Sequence, residues 1–126
     1  SMEHDGDFEE FWSEFGEWYE DNGITKEEFL GYDFVDGFNR GDIMVLVGSD
    51  EIDVGDVIVF NGNSNNPIIH RVVVENEESY QTKGDHNRDS SSSLGETDIQ
   101  EENIVGKAKF RVPYLGWFKI GFASLL

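Results

Sequence analysis

The stretch NPIIHRVVVENEESYQTKGDHNRD, Asn66 to Asp89, decides the fold. It holds two runs of β-branched and aromatic residues, IIHRVVVE and SYQTKG, each bounded by Asn, Asp or Gly, and that composition reads as short strands joined by turns. The first run also sets an imidazole, His70, among aliphatic neighbours and follows it with Arg71. Such a histidine is either a core residue with one satisfied hydrogen bond or a base aimed at a partner, and the rest of the chain decides between the two.

Working outward, DIMVLVG, DVIVFNG and IVGKAKFRV repeat the pattern of the central stretch from Gly37 onward. Short strands at close intervals predict a mainly β fold, a coiled or barrel-like sheet. The polar stretch DHNRDSSSSLGETDIQEEN interrupts it as a long loop, a kind of segment that is commonly functional or mobile. Before Gly37 the period changes. In DGDFEEFWSEFGEWYEDNG the residues Phe8, Phe11, Trp12, Phe15, Trp18 and Tyr19 recur every three or four positions, which predicts an amphipathic helix with one aromatic face. Asp5 or Asp7 caps its start and Asn22-Gly23 ends it; Thr25-Lys26-Glu27-Glu28 then has the form of a capping box opening a second, shorter helix that runs out near Gly31. The aromatic face suits the domain's own core, or contact with a membrane interface or partner.

A chain of 126 residues suits one domain, residues 1–126, able to bury a core without disulfides or metal. Its formal charge of -18 repels phosphate backbones, which argues against nucleic acid as a partner. With no cysteine there is neither disulfide nor thiol chemistry. No apolar run reaches the roughly 20 residues that span a bilayer, although the final YLGWFKIGFASLL grows steadily more apolar, as a last core strand or as the approach to a membrane segment.

Three constellations bear on chemistry. The acidic DGDFEE lacks the alternating ligands and central Gly of a calcium loop. His4, His70 and His86 form no close pair of ligands on one element, so a zinc site is not supported. The third is a hydroxyl, His70 and an aspartate: serine becomes nucleophilic when a base takes its proton, and the base works best when an acceptor on its other nitrogen fixes the tautomer. Local sequence does not choose the hydroxyl.

Read in order, Ser1-Met2, GFNRGDIMVLV, VGDVIVF, PIIHRVV, TKGDHNRD and GKAKFRVPYLGW form a series that closely resembles type I signal peptidase of the archaeal and endoplasmic-reticulum kind, almost continuously from Gly37 to Trp117. The resemblance implies a signal-peptidase fold with residues 5–31 as a helical insertion. It makes Ser1 the nucleophile and His70, where bacterial relatives carry lysine, the general base. Asp85 stands in the TKGD box, and the second family aspartate is matched by Asp89, here at shorter spacing. Asp89 is thus expected to orient His70, with Asp85 organising the loop through Arg71. Met2, Pro67, Ile68 and Ile69 are expected to bind substrate, the last three by pairing with its backbone as an added strand. His4 replaces the family's proline.

The implied function is that of a serine endopeptidase cleaving signal peptides from secretory preproteins after small residues, with neither cofactor nor metal. The alternative is a catalytically silent signal-peptidase-like domain that binds export substrates or translocation partners; a small metal-binding β module is a more distant reading. The resemblance further implies membrane anchors outside this sequence and a catalytic domain on the extracytoplasmic face.

Overall fold

A computed structural model describes residues 1–4, 6–39, 41–48 and 51–112. Helix α1, Phe8–Asp21, begins where the extended Asp7 accepts a hydrogen bond from the Glu10 backbone at 2.9 Å; the alternative cap, Asp5, lies outside the described residues. The helix ends at Asn22, and Gly23, at φ 83, takes the left-handed conformation that turns the chain. Helix α2, Lys26–Leu30, follows at once, its Thr25 side chain accepting from Glu28 N while the Thr25 hydroxyl donates to Glu28 Oε1.

Six strands follow: β1 Ile43–Val47, β2 Val57–Phe60, β3 Ile68–Glu75, β4 Ser79–Lys83, β5 Ile99–Gln100 and β6 Ile104–Val112. They form one sheet in the order β1-β6-β2-β3-β4-β5, antiparallel throughout. The fold is therefore mainly β with a short N-terminal helical segment, as the sequence predicts. The sequence reading is of a coiled or barrel-like sheet; β1 and β5 are the edges of the sheet, and among the described residues it does not close into a barrel. The two-residue β5 has no counterpart in the sequence reading, being too short to carry an alternating pattern.

Alternation along β3 sorts the molecule into two layers. Ile68 and Val72 join Ile52, Ile58, Phe60 and Ile99 in a core on one face of the sheet. On the other face Val73 packs with Phe11, Trp12, Phe15, Tyr19, Ile24 and Phe29 of the helical segment. The aromatic face of α1 therefore serves the protein's own core rather than an external surface. Met2 fills a third cluster with Val57 and Ala108. Among the described residues no helix is long and apolar enough to cross a membrane. The apolar stretch from Tyr114 to Leu126 lies outside the described residues.

Candidate active site

His70 sits near the start of β3 on the face away from the helices, 9% exposed. Its Nδ1 is bonded to Glu96 Oε1. Glu96 is fully buried, and three further groups hold it: the Thr82 hydroxyl donates to Oε1 at 3.1 Å, Ser91 N donates to Oε2 at 2.7 Å, and Thr82 N donates to its backbone carbonyl at 3.0 Å. Burial acts to raise the Glu96 pKa, but the bonds from His70, Ser91 and Thr82 and the attraction of the imidazole prevail and hold it below the usual glutamate range. An ionised carboxylate only accepts, so Nδ1 carries the hydrogen, and in the neutral form of the ring the lone pair is on Nε2.

His70 Nε2 borders the same small space as the N-terminal residue, Ser1. The point where a Cβ on Gly84 would stand is 2.8 Å from His70 Nε2 and 2.7 Å from Ser1 N, so the imidazole and the Ser1 amino group both border the space left by the missing side chain. Ser1 is held on several sides: its N donates to Asn87 Oδ1 at 2.9 Å, its carbonyl accepts from His86 N at 2.9 Å, and its Oγ accepts from Glu3 N at 3.2 Å. Met2, 4% exposed, anchors the segment, its carbonyl accepting from Phe38 N at 3.1 Å and its sulfur from Asp85 N at 3.3 Å. A cavity of about 280 Å³ opens beside the serine, lined by Ser1, Met2, Glu3, Phe38 and Asn39.

Arg71 projects to the opposite face, as alternation requires. Both it and Asp85 are fully buried, and the pair is bidentate: Nε to Oδ1 and Nη2 to Oδ2, each at 2.9 Å. The remaining guanidinium hydrogens go to the carbonyls of Asp33, Phe34 and Gly55. Asp85 also accepts from the Tyr19 hydroxyl at 3.1 Å and pairs with His4 Nε2 at 2.9 Å. Burial works to raise its pKa, yet the Arg71 guanidinium, helped by His4, holds the carboxyl well below the usual carboxylate range.

The structure separates two expected partners. Asp89 stands away from His70: its Oδ1 accepts from Trp18 Nε1 at 3.2 Å and from Ser90 N at 2.7 Å, and the carboxylate on the imidazole is Glu96. The cause is the return of the polar loop. Its serine run turns at Gly95, whose φ of 83 favours glycine, and delivers Glu96 beneath the ring. The one signal in the sequence is an acidic residue directly after a glycine at the end of that run. Pro67, Ile68 and Ile69 lead into His70; Ile68 and Ile69 pair with Phe60 and Val59 of β2, while β4 first pairs with β3 at Arg71, so among the described residues no strand covers the other edge of this lead-in. The three histidines are engaged separately, His4 with Asp85, His70 with Glu96 and His86 against the Phe15 ring. Among the described residues no group of three His, Cys, Asp or Glu is placed to hold a metal ion.

An imidazole with a carboxylate on its Nδ1 is able to take a proton from a hydroxyl through Nε2, and Ser1 borders the same gap at Gly84. No family model matches the chain. It is 37% identical over 95 residues to the signal peptidase complex catalytic subunit SEC11 of Lachancea thermotolerans, an alignment covering 66% of this chain and 56% of that protein. The SEC11 subunit of Candida albicans is 34% identical over 109 residues, 71% of this chain and 66% of that one. That of Zygosaccharomyces rouxii is 37% identical over 94 residues, with 66% and 56% covered. The chain thus spans between about half and two thirds of the length of these relatives.

Proposed function

Because the chain belongs to the signal peptidase family represented by the SEC11 catalytic subunits, we propose that it is a serine endopeptidase that removes signal peptides from exported preproteins. The observation that carries the mechanism is that His70 Nε2 and Ser1 N both border the gap at Gly84, with Glu96 on the far nitrogen of the ring. His70 Nε2 takes the Ser1 proton as Oγ attacks the scissile carbonyl carbon. Glu96 accepts the Nδ1 hydrogen and stabilises the imidazolium that forms. Collapse of the tetrahedral intermediate passes that proton from Nε2 to the leaving amine, and the acyl group remains on Ser1. His70 then deprotonates a water, which hydrolyses the ester and restores the serine.

Substrate binding follows from the two open features beside the serine. The uncovered edge of Pro67, Ile68 and Ile69 takes the extended peptide as an added strand, its backbone bonds supplying affinity without regard to sequence. The cavity bounded by Ser1, Met2 and Phe38 receives a small side chain next to the scissile bond. Asp85 fixes the loop through Arg71 and does not touch the reacting atoms. The proposed setting is a membrane-associated complex, as the relatives' name of signal peptidase complex subunit suggests, with the catalytic face extracytoplasmic.

Cleavage of a radiolabelled preprotein, with a serine-reactive probe alongside, tests this reading. Wild type cleaves and is labelled, Ser1→Ala and His70→Ala each lose most turnover, and the double variant loses little more than either alone because the two act as one unit. Binding of the preprotein with equal, negligible cleavage by wild type and Ser1→Ala would instead identify a silent binding domain.

A further inference from the structure

Phe11, Phe15 and the adjacent pair Trp18 and Tyr19 follow one another at about one turn along α1, and each meets a residue of the N-terminal segment or of the loop after β4. The Phe11 ring stacks on His4 at 4.0 Å between centroids. Phe15 packs against His86 at 5.4 Å. Trp18 donates from Nε1 to Asp89 at 3.2 Å. Tyr19, fully buried, donates its hydroxyl hydrogen to Asp85 Oδ1 and accepts from Lys83 Nζ, both at 3.1 Å.

Lys83 makes the connection tighter. Its ammonium is fully buried amid Phe15, Trp18 and Tyr19, with centroids 5.1, 5.2 and 4.6 Å from Nζ. All three of its hydrogens have oxygen acceptors, the Tyr19 hydroxyl and the carbonyls of Gly84 at 3.0 Å and Asp85 at 3.2 Å. An ammonium so engaged is a donor that fixes two consecutive loop carbonyls, not a base. Those carbonyls open the turn closed by Asn87 N on Gly84 O, and this turn supplies Asn87 Oδ1 and His86 N to Ser1. The chain of contacts therefore runs from the helix to Lys83 and Asp85, through the turn, to the nucleophile.

We propose that α1 is a positioning element for the reaction, with Tyr19 as its principal residue: the helix clamps the Gly84–Asp89 loop, and the loop holds Ser1 against His70. The proposal rests on the signal-peptidase reading and adds to it a segment with no part in the chemistry. Burial pushes the Lys83 ammonium from 10.5 down to about 8, opposed by the Asp85 carboxylate and assisted by Arg71. The charged groups around it are Asp85, Arg71, Glu96, Asp89 and the Ser1 amino group, with the Tyr19 hydroxyl from the helix side. A neutral amine has one hydrogen fewer to give, so the clamp loosens above that pH.

The test compares wild type, Tyr19→Phe, Trp18→Phe and Ser1→Ala in the full-length protein, on a signal-peptide substrate. Tyr19→Phe keeps the ring and removes both bonds of the hydroxyl. Its kcat is expected to fall about tenfold at unchanged KM, its alkaline limb to move to lower pH, and amide hydrogen exchange at Gly84 to Asn87 to accelerate. Trp18→Phe, at a less buried position, shows a smaller loss of the same kind. A folded Tyr19→Phe with wild-type kcat, pH profile and exchange overturns the proposal. If Tyr19→Phe does not fold, unchanged kcat and exchange in Trp18→Phe overturn it. Wild type no faster than Ser1→Ala rejects the protease reading instead, and the exchange rates alone then decide whether the helix holds the loop.

Discussion

Glu96 is the residue on which His70 depends for its tautomer, and its replacement separates orientation from burial. Glu96→Gln keeps the shape but presents either an amide hydrogen or a neutral acceptor to Nδ1, so it is expected to lower kcat/KM by about 10³ to 10⁴ fold, whereas Asp89→Asn, at an exposed bond to Trp18, should cost less than about tenfold. Steady-state kinetics of the two variants decide it. The same carboxylates govern stability in acid. Asp85 and Glu96 both bind protons less readily in the folded chain than in the unfolded one, where the ordinary values are 3.8 and 4.5. The unfolded state therefore takes up more protons, and the stability they confer is complete above those values and is lost as pH falls through the lower folded ones. Urea midpoints should hold level down to about pH 5 and fall below it, and Glu96→Gln should flatten the fall. The proposed nucleophile and base were singled out by motif order, and the face to which Arg71 projects followed from strand alternation, because both are local properties. Glu96 was not singled out, since the turn at Gly95 that brings it back is a matter of tertiary closure.

Elements whose signal is periodic were legible: α1 from its aromatic spacing and cap, and β3 and β4 from their β-branched runs. What periodicity leaves out is register. The shift between Val72 and Val74 on β3 and that between Val59 and Phe60 on β2 follow from how neighbouring strands meet, and no single run announces them. The β4 terminus shows how narrow the tolerance is. Gly84 begins the turn under the site, and a methyl added there would stand 2.6 Å from Asn87 Nδ2, 2.7 Å from Ser1 N and 2.8 Å from His70 Nε2. Gly84→Ala is expected to leave the sheet and the far-ultraviolet circular dichroism intact while lowering kcat by at least about a hundredfold, because a displacement on the order of 1 Å is enough for such a loss. Near-normal turnover in that variant would show that the serine and the histidine approach each other by another route.

At the scale of the whole molecule, a formal charge of -18 on 126 residues sets the conditions under which the fold is most stable. Exposed carboxylates on α1 and α2, among them Glu27 and Glu28 in the first turn of α2, repel one another over a screening length of about 10 Å at 0.1 M salt. Urea midpoints should therefore rise between low and molar sodium chloride, and equal midpoints would contradict the account. The contacts that close the site share a further property. Ser1 reaches Asn87 across 86 positions, His4 reaches Asp85 across 81 and Tyr19 reaches the same carboxylate across 66. Bonds of such long sequence separation form only after the intervening chain has surrendered its entropy. The hairpin of β3 and β4 can assemble early on local contacts, but Ser1 joins it only once the chain between them has folded. A nascent or partly unfolded copy thus carries the serine and the histidine apart, and under the proposed mechanism the competence to cleave arrives as the last event of folding.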